Sequence, residues 1–290
     1  MPWKTLWQTR VGMNLNSDPS TGPDANCYPD SLDSCSLNTC SLNKKDRWHS
    51  PIALDHTIAI ISIDLESADE RLIPFQCILS LEERGRAETI RDAQQRRHWI
   101  KARAMLRMLL AQQCGHCAEE LRFCLNDWGK PSIAIPCTPS SYIHSPYPHF
   151  NFSHSGKTAV LAMTSMGPLG VDVERIKAST DIDIVARRYF SSTEQQAFNS
   201  LPQSQRLRGF YQIWTRKEAY LKAVGVGLSG DLASFDVSQA DTGCNLLLAV
   251  NGSSQTARHW TLADIEFDNG YVGAVAICAR DVRISRYNIK

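Results

Sequence analysis

The sequence lacks any run of about 18 apolar residues, the length that a membrane-spanning helix requires. Its first ten residues, MPWKTLWQTR, lack the apolar segment that is typical of a secretory signal. An excess of charge of one sign is missing too, because 31 Lys and Arg residues stand against 30 Asp and Glu residues. We therefore expect a cytoplasmic protein that neither enters a membrane nor serves as a dedicated nucleic-acid binder.

The length and composition are those of a globular protein with more than one domain. At about 150 residues per domain, 290 residues correspond to about two domains. Residues 14–46 differ from the rest, because they are rich in Ser, Asn, Asp and Pro and have no apolar period. Such a segment buries too little apolar surface to offset its chain entropy. We predict a disordered extension over residues 1–47, followed by two halves over residues 48–166 and 167–290.

The ten cysteines are spread along the chain, which favours reduced thiols packed as small apolar side chains. Cys114 and Cys117 alone have the Cys-x-x-Cys spacing of a dithiol redox motif. A redox site needs this motif at a helix N-terminus, where the helix dipole lowers a thiol pKa. Here the motif follows a long helical pattern that Gly115 ends, so a structural role is favoured. A single such pair is also weak evidence for a zinc site.

The first half begins with a strand pattern and continues with helices. Residues 57–65 are rich in β-branched side chains, as in a strand. Ser80 and Glu83 form a capping box that opens a helix. The helical period from residue 80 to residue 113 is interrupted near Asp92, so we expect two helices with a short joint.

The second half repeats this mixture, with a strand over residues 169–173 and a helix over residues 181–189. Ser192 opens another helix, and a long helix over residues 205–223 ends at Gly225 and Gly227. Antiparallel hairpins are predicted on both sides of it, by the turn at residues 128–131, by residues 149–154 with 158–163, and by residues 260–267 with 271–278 around Asp268-Asn269-Gly270. The fold class is therefore α+β.

Asp172 and Glu174 lie two residues apart in the strand pattern Gly-Val-Asp-Val-Glu. Residues at this spacing project from the same face of a strand, so the two carboxylates point together. Adjacent carboxylates repel each other unless a cation or a shared proton lies between them, and Mg²⁺ prefers such oxygen ligands. The alternative is an edge strand with two solvated acids, and the spacing alone does not decide between them.

Glu218 and Lys222 lie four residues apart and share a face of the long helix. Such a pair is commonly a surface ion pair. Trp214, Ala219 and Leu221 are side chains of the kind found in a core, however, so this helix is expected to be packed around much of its circumference. A carboxylate and an amine beside a buried surface are candidates for a functional site.

Two further patterns indicate phosphate binding. Ser153-His154 follows a strand, where adjacent residues face opposite ways, so a nucleophile–base pair is disfavoured and either a phosphate contact or a structural histidine remains. Eight basic residues in the first helical region suit a solvated face, a nucleic acid or a small polyanion: Arg84, Arg86, Arg91, Arg96, Arg97, Lys101, Arg103 and Arg107.

Taken together, these motifs resemble those of the Sfp-type 4′-phosphopantetheinyl transferases. The resemblance covers residues 48–280 and rests on several motifs in the family's order. They are Leu79-Ser80 with Glu83, Lys101-Ala102-Arg103, Gly129-Lys130-Pro131, Asn151-Phe152-Ser153-His154-Ser155-Gly156, Gly170-Val171-Asp172-Val173-Glu174, Ala186-Arg187-Arg188-Tyr189-Phe190 with Glu194, and Trp214-Thr215-Arg216-Lys217-Glu218-Ala219-Tyr220-Leu221-Lys222.

The resemblance implies a pseudo-dimer of two similar α+β halves, with coenzyme A bound in the cleft between them. The implied reaction transfers the 4′-phosphopantetheine arm of coenzyme A to a serine of an acyl or peptidyl carrier protein and releases 3′,5′-ADP. The family's site residues then fall on Asp172, Glu174 and Glu218 for Mg²⁺ and on Glu218 and Lys222 for catalysis. Coenzyme A contacts fall on Arg86, Arg103, Gly129, Lys130, Pro131, Ser153, His154 and Lys222.

Within this family Glu218 would activate the incoming serine, directly or through metal-bound water, and Lys222 would neutralise phosphate charge. We expect a monomer. One departure is Glu83, where some relatives carry Lys, so one phosphate contact is expected to be missing. The alternative function is a non-catalytic module that binds coenzyme A or a carrier protein, which the intact acids disfavour.

Overall fold

A computed structural model describes residues 51–67, 72–134, 147–178, 181–226, 232–237, 246–267 and 270–289. The predicted extension over residues 1–47, the turn residues Asp268 and Asn269, and Gly227 lie outside these ranges. In chain order the helices are α1 (Leu72–Ile78), α2 (Leu81–Thr89), α3 (Ala93–Cys114), α4 (Ile182–Tyr189), α5 (Ser192–Ser200), α6 (Gln203–Val224) and α7 (Ser254–Ala257).

The strands are β1 (Thr57–Asp64), β2 (Phe123–Leu125), β3 (Pro131–Ile133), β4 (His149–Ser155), β5 (Thr158–Thr164), β6 (Leu169–Arg175), β7 (Phe235–Val237), β8 (Leu247–Val250), β9 (Thr261–Ile265), β10 (Tyr271–Ile277) and β11 (Arg283–Ile289). They form one sheet of order β11-β1-β5-β4, a second of order β6-β10-β9, and the two-stranded pairs β2-β3 and β7-β8. The chain is therefore a mixed α+β protein with small, mainly antiparallel sheets, as the sequence predicts.

The predicted helices of the first half are present, and their ends follow local chemistry. Ser80 accepts a hydrogen bond from the N–H of Glu83, whose carboxylate accepts one from the N–H of Ser80, so the predicted capping box is confirmed. The predicted joint is confirmed at Asp92, the N-cap of α3. Helix α3 ends at Gly115, whose φ of 72° is left-handed and favours glycine.

Strand β11 is a feature that the sequence analysis missed. It returns from the second half and pairs in parallel with β1, with Ile60 opposite Arg286. Strand β1 therefore has hydrogen-bonded neighbours on both sides, since β5 pairs with its other edge. This central position explains why its sequence, TIAIISID, is an almost unbroken apolar run rather than an alternating one.

The two larger sheets share one apolar core. Ile58 and Ile60 of β1 and Val160 of β5 belong to the same buried cluster as Val171 and Val173 of β6. Helix α6 packs on the opposite face of the second sheet, where Ala274 and Ala276 of β10 belong to a separate cluster with Ala219 and Leu221. Strand β6 therefore lies between a sheet–sheet core and a long helix.

Gly170 is the point where β6 and α6 touch. A Cβ atom at this position would overlap the backbone atoms Ala219 O and Ala223 N. These are backbone atoms of a packed helix, so they cannot rotate away as a flexible side chain would. The glycine therefore sets the distance between the strand and the helix.

We predict that Gly170→Ala lowers the free energy of unfolding by about 1–3 kcal/mol or more, because the helix must move away from the strand. Chemical denaturation followed by circular dichroism measures this change. The matched control is Gly85→Ala, at an exposed position of α2 with no atom within 4 Å of the added Cβ. That control is expected to stabilise the protein by about 0.5–1 kcal/mol, as Gly-to-Ala changes in helices do. Equal stability of the two variants would contradict the close strand–helix contact.

Candidate active site

Strand β6 divides its side chains between the core and the helix. Val171 and Val173 point into the sheet–sheet core, and Gly170 and Asp172 lie on the face toward α6. Asp172 is fully buried and Glu174 is nearly so. Strand β6 does lie at the edge of its sheet, but the solvated acids of the alternative considered above are wrong, since both acids are buried and need partners inside the protein.

Lys222 is the partner of Asp172. Its Nζ lies 2.7 Å from Asp172 Oδ1 and 3.2 Å from both Ser153 Oγ and Val171 O. Both side chains are buried, so the attraction between their opposite charges compensates for the hydration that each of them loses. The predicted catalytic lysine thus contacts the strand that carries the predicted metal ligands.

Strand β4 supplies a row of polar side chains that hold β6. Asn151 Oδ1, Ser153 Oγ and Ser155 Oγ accept hydrogen bonds from the N–H groups of Val171, Val173 and Arg175. The two serines also donate, Ser153 to Asp172 Oδ1 at 2.9 Å and Ser155 to Glu174 Oε2 at 2.8 Å. We call these five hydrogen bonds the β4–β6 interface. It positions both carboxylates.

Ser153 and His154 do not lie together. The Ser153 hydroxyl points toward β6, and His154 lies on the opposite face of β4 near Phe152, with ring centroids 6.4 Å apart. The alternation of a strand requires this separation. A hydrolase-type pair is therefore excluded. A shared phosphate contact through both side chains would need the Ser153–Asp172 bond to break.

Glu218 lies one helical turn before Lys222, on the same face of α6, and is 3% exposed. Two buried carboxylate oxygens, Asp172 Oδ2 and Glu218 Oε2, accept no hydrogen bond within the described ranges, although both side chains have other interactions. Oxygens of this kind from a strand and a helix fit a divalent cation such as Mg²⁺.

The predicted metal ligands are nevertheless not gathered into a ready cluster. Across the described residues, no group of three or more His, Cys, Asp or Glu side chains is close enough to hold a metal ion. Electrostatic repulsion explains this spacing, since three carboxylates brought together without a cation repel each other. In the structure Lys222 neutralises Asp172, and Ser155 holds Glu174.

Two of the eight basic residues of the first helical region contact Glu83. Its carboxylate accepts hydrogen bonds from Arg103 Nε at 2.8 Å and Arg107 Nε at 2.7 Å, and both guanidinium groups lie 5.3 Å from the centre of the Phe123 ring. Burial raises the pKa of Glu83, but Arg103, the Ser80 N–H and Arg107 together outweigh burial and leave that pKa below its usual value. Arg107 is buried, and the Arg103 side chain is 26% exposed. Arg86 lies in the last turn of α2.

Lys130 occupies an unexpected position. Gly129, with φ of 82°, forms the turn after β2, and Pro131 begins β3. The Lys130 ammonium reaches the second half, where Nζ lies 3.0 Å from Leu169 O and 3.1 Å from Ala223 O. Burial lowers the pKa of Lys130 to about 8. The predicted coenzyme A contact is thus hydrogen-bonded to the main chain of β6 and α6.

Comparison with known proteins agrees with this arrangement. Residues 168–276, which include β6 and α6, match the model of the 4′-phosphopantetheinyl transferase superfamily. A candidate 4′-phosphopantetheinyl transferase of Synechocystis sp. is 32% identical over 221 residues, which are 74% of this chain and 85% of that protein. This chain belongs to the 4′-phosphopantetheinyl transferase superfamily.

Two further relatives of the superfamily match large parts of the chain. The 4′-phosphopantetheinyl transferase HetI of Nostoc sp. is 29% identical over 224 residues, covering 77% of this chain and 89% of HetI. The 4′-phosphopantetheinyl transferase Sfp of Bacillus subtilis is 29% identical over 177 residues, covering 61% of this chain and 74% of Sfp. The family resemblance inferred from the sequence motifs is therefore confirmed.

Several residues of this transferase chain were missed by the sequence analysis. Asn126 is absent from that analysis, and Asn151 and Ser155 appear there only within a family motif and without a role, yet all three hold parts of the site. The signal for the last two was present, because small polar residues recur at every second position of β4 and alternate there with aromatic residues.

Among the described helices, none is long and apolar enough to cross a bilayer.

The Cys114–Cys117 pair has no place in the transferase site. Cys114 is the last residue of α3, and burial raises the pKa of its thiol to about 11. A redox nucleophile needs the opposite shift, toward the thiolate. This finding favours the structural role expected from the sequence.

We predict that Cys114 is alkylated slowly by iodoacetamide at pH 8, where about one thiol in a thousand is ionised at a pKa of about 11. Labelling should accelerate as the pH rises toward 11. Peptide mass spectrometry of the native protein measures it, with the exposed Cys117 as the internal reference. Faster labelling of Cys114 than of Cys117 would restore the redox interpretation.

Proposed function

We propose that the chain transfers the 4′-phosphopantetheine arm of coenzyme A to a serine of an acyl or peptidyl carrier protein and releases 3′,5′-ADP. The observation that carries this proposal is the convergence of Asp172 from β6, Lys222 from α6 and Ser153 from β4. Membership of the superfamily supplies the reaction class. Phosphoryl transfer of this kind depends on positioning and charge neutralisation more than on covalent chemistry.

Asp172, Glu174 and Glu218 would hold Mg²⁺ in this proposal. The cation would supply charge neutralisation for the pyrophosphate of coenzyme A. The ion pair with Lys222 holds Asp172 toward α6, and Ser155 orients Glu174. Glu218, fixed one turn before Lys222, would accept the proton of the incoming serine, directly or through a water molecule. Lys222 would neutralise charge on the phosphates.

The nucleotide contacts proposed for the first half are Arg86, Arg103, Gly129, Pro131 and His154. Glu83 accepts a hydrogen bond from Arg103 Nε, and the two terminal nitrogens of this partly exposed side chain would donate to a ligand. Some relatives carry Lys at position 83. In this chain the Glu83 carboxylate would instead hold Arg103, which would contact the ligand. Ser153 and Lys130 contribute differently, since their hydroxyl and ammonium groups contact the second half.

A pseudo-dimer with coenzyme A between its halves also belongs to this proposal. It is supported by the two long helices, α3 and α6, which both have 22 residues. Both end at a glycine with left-handed backbone, Gly115 and Gly225. The half over residues 167–290 would then contribute β11 to the sheet of the half over residues 48–166. That the protein acts as a cytoplasmic monomer without nucleic acid or membrane stays a prediction.

The test is a panel of purified carrier proteins incubated with the protein, coenzyme A and Mg²⁺. Intact-mass spectrometry should show the addition of one phosphopantetheine group to at least one carrier. Omission of Mg²⁺ in the presence of a chelator should abolish the addition. A protein that binds coenzyme A but modifies no carrier of the panel would be the non-catalytic binding module instead.

We predict that Glu218→Gln lowers kcat by about 100-fold or more, because an amide cannot accept the serine proton. Binding of 3′,5′-ADP, measured by calorimetry, should change by less than about twofold, since Glu218 is not among the proposed nucleotide contacts and Lys222, the one in the second half, is unchanged. The matched control is Glu266→Gln, whose side chain is 85% exposed and should leave kcat unchanged. A Glu218→Gln variant with near-normal kcat would remove Glu218 from the proposed mechanism.

A further inference from the structure

The turn between β2 and β3 is attached to the second half by two side chains. Asn126 Nδ2 donates a hydrogen bond to Gly225 O at 2.9 Å, and Lys130 Nζ donates to Leu169 O and Ala223 O. These three bonds join residues that are 39 to 99 positions apart in the sequence. We call them the hairpin contact.

Asn126 is suited to this contact by having a donor and an acceptor on one side chain. Its Oδ1 accepts hydrogen bonds from the N–H groups of Trp128 at 3.0 Å and Lys130 at 2.8 Å, which closes the turn. Its Nδ2 is thereby directed out of the turn toward Gly225 O. An aspartate at this position could close the turn but could not donate to Gly225.

The hairpin contact binds the C-terminal end of α6. The last carbonyl groups of a helix have no partner within the helix, and positive charge there is favourable for the helix dipole. The Lys130 ammonium satisfies Ala223 O in this way, and Asn126 satisfies the carbonyl of the glycine that ends the helix. Lys130 also reaches Leu169, the residue before Gly170, and so bridges the start of β6 and the end of α6.

These positions are adjacent to the proposed catalytic groups. Lys222 directly precedes Ala223, and Glu218 lies one turn earlier on the same helix. At the other end of the hairpin, Phe123 lies beneath the guanidinium group of Arg103, a proposed nucleotide contact. The β2–β3 hairpin therefore connects the proposed nucleotide side of the site with the helix that carries its catalytic residues.

We propose that Asn126 and Lys130 are positioning residues, which fix the C-terminal end of α6 and thereby place Glu218 and Lys222 for the transfer reaction. The Lys130 ammonium then serves the helix and not the phosphates of coenzyme A. This inference rests on the proposed transferase function for its kinetic test and on the contact alone for its structural test.

The structural test compares Asn126→Asp with the matched control Asn199→Asp, the same change at an exposed position of α5. Hydrogen exchange followed by mass spectrometry should show faster exchange in residues 219–225 of Asn126→Asp, by about tenfold, because an unpaired helix end opens more readily. The control should exchange like the unchanged protein. Unchanged exchange in Asn126→Asp would overturn the proposal whether or not the protein is a transferase.

The kinetic test measures kcat, the KM for coenzyme A and the affinity for 3′,5′-ADP of Asn126→Asp and Lys130→Met. Both variants should lose about 10- to 100-fold in kcat, the cost of misplacing catalytic groups, with KM and 3′,5′-ADP affinity nearly unchanged. Lys130→Arg should recover part of the lost kcat, because a guanidinium group also donates to carbonyl oxygens. If Lys130→Met instead weakens 3′,5′-ADP binding at least about tenfold with kcat unchanged, Lys130 is a phosphate ligand and the proposal is wrong.

Discussion

The buried ion pair between Asp172 and Lys222 is the interaction on which the rest of the structure depends. Moving a carboxylate and an ammonium group out of water costs several kcal/mol each unless the two charges meet in good geometry with further hydrogen bonds. Ser153 and the carbonyl of Val171 provide those bonds here. Because the partners come from β6 and α6, the pair requires the close approach that Gly170 permits. Packing and charge therefore impose the same separation on the strand and the helix.

The β4–β6 interface shows why the acidic part of the site lies where the two larger sheets meet. A backbone ladder would satisfy the N–H groups of β6 without bringing any side chain to them. Asn151, Ser153 and Ser155 satisfy the same N–H groups and, through the serine hydroxyls, also hold Asp172 and Glu174. Each serine hydroxyl donates to a carboxylate and accepts from the next N–H group along β6. The same serine side chains therefore join the two sheets and orient the two acids.

Local features were predictable from the sequence because short-range chemistry decides them. The capping box at Ser80, the helix ending at Gly225 and the strand that carries Asp172 all follow from patterns within a few residues. Long-range pairings were not predictable in this way. The return of β11 to β1, the two arginines on Glu83 and the reach of Lys130 to Ala223 depend on which surfaces meet in the folded chain. A basic residue in a sequence motif suggests a phosphate-binding role, although its partner in the folded chain can equally be a carbonyl or carboxylate group of the same protein.

The charged segment of α6 illustrates how such pairings serve the site. Successive residues of a helix point about 100° apart, so Arg216 and Lys217 leave the helix in different directions. The buried Arg216 pairs with the partly exposed Asp264 of β9, and the buried Lys217 pairs with the buried Glu194 of α5. Two ion pairs in different directions leave the helix little freedom to rotate about its axis. Glu218 and Lys222 lie within about 40° of each other around the helix, so the same two pairs help to fix the direction of both, and Lys222 contacts β6. The neighbours of the catalytic residues thus contribute to the site by fixing the orientation of the helix that carries it.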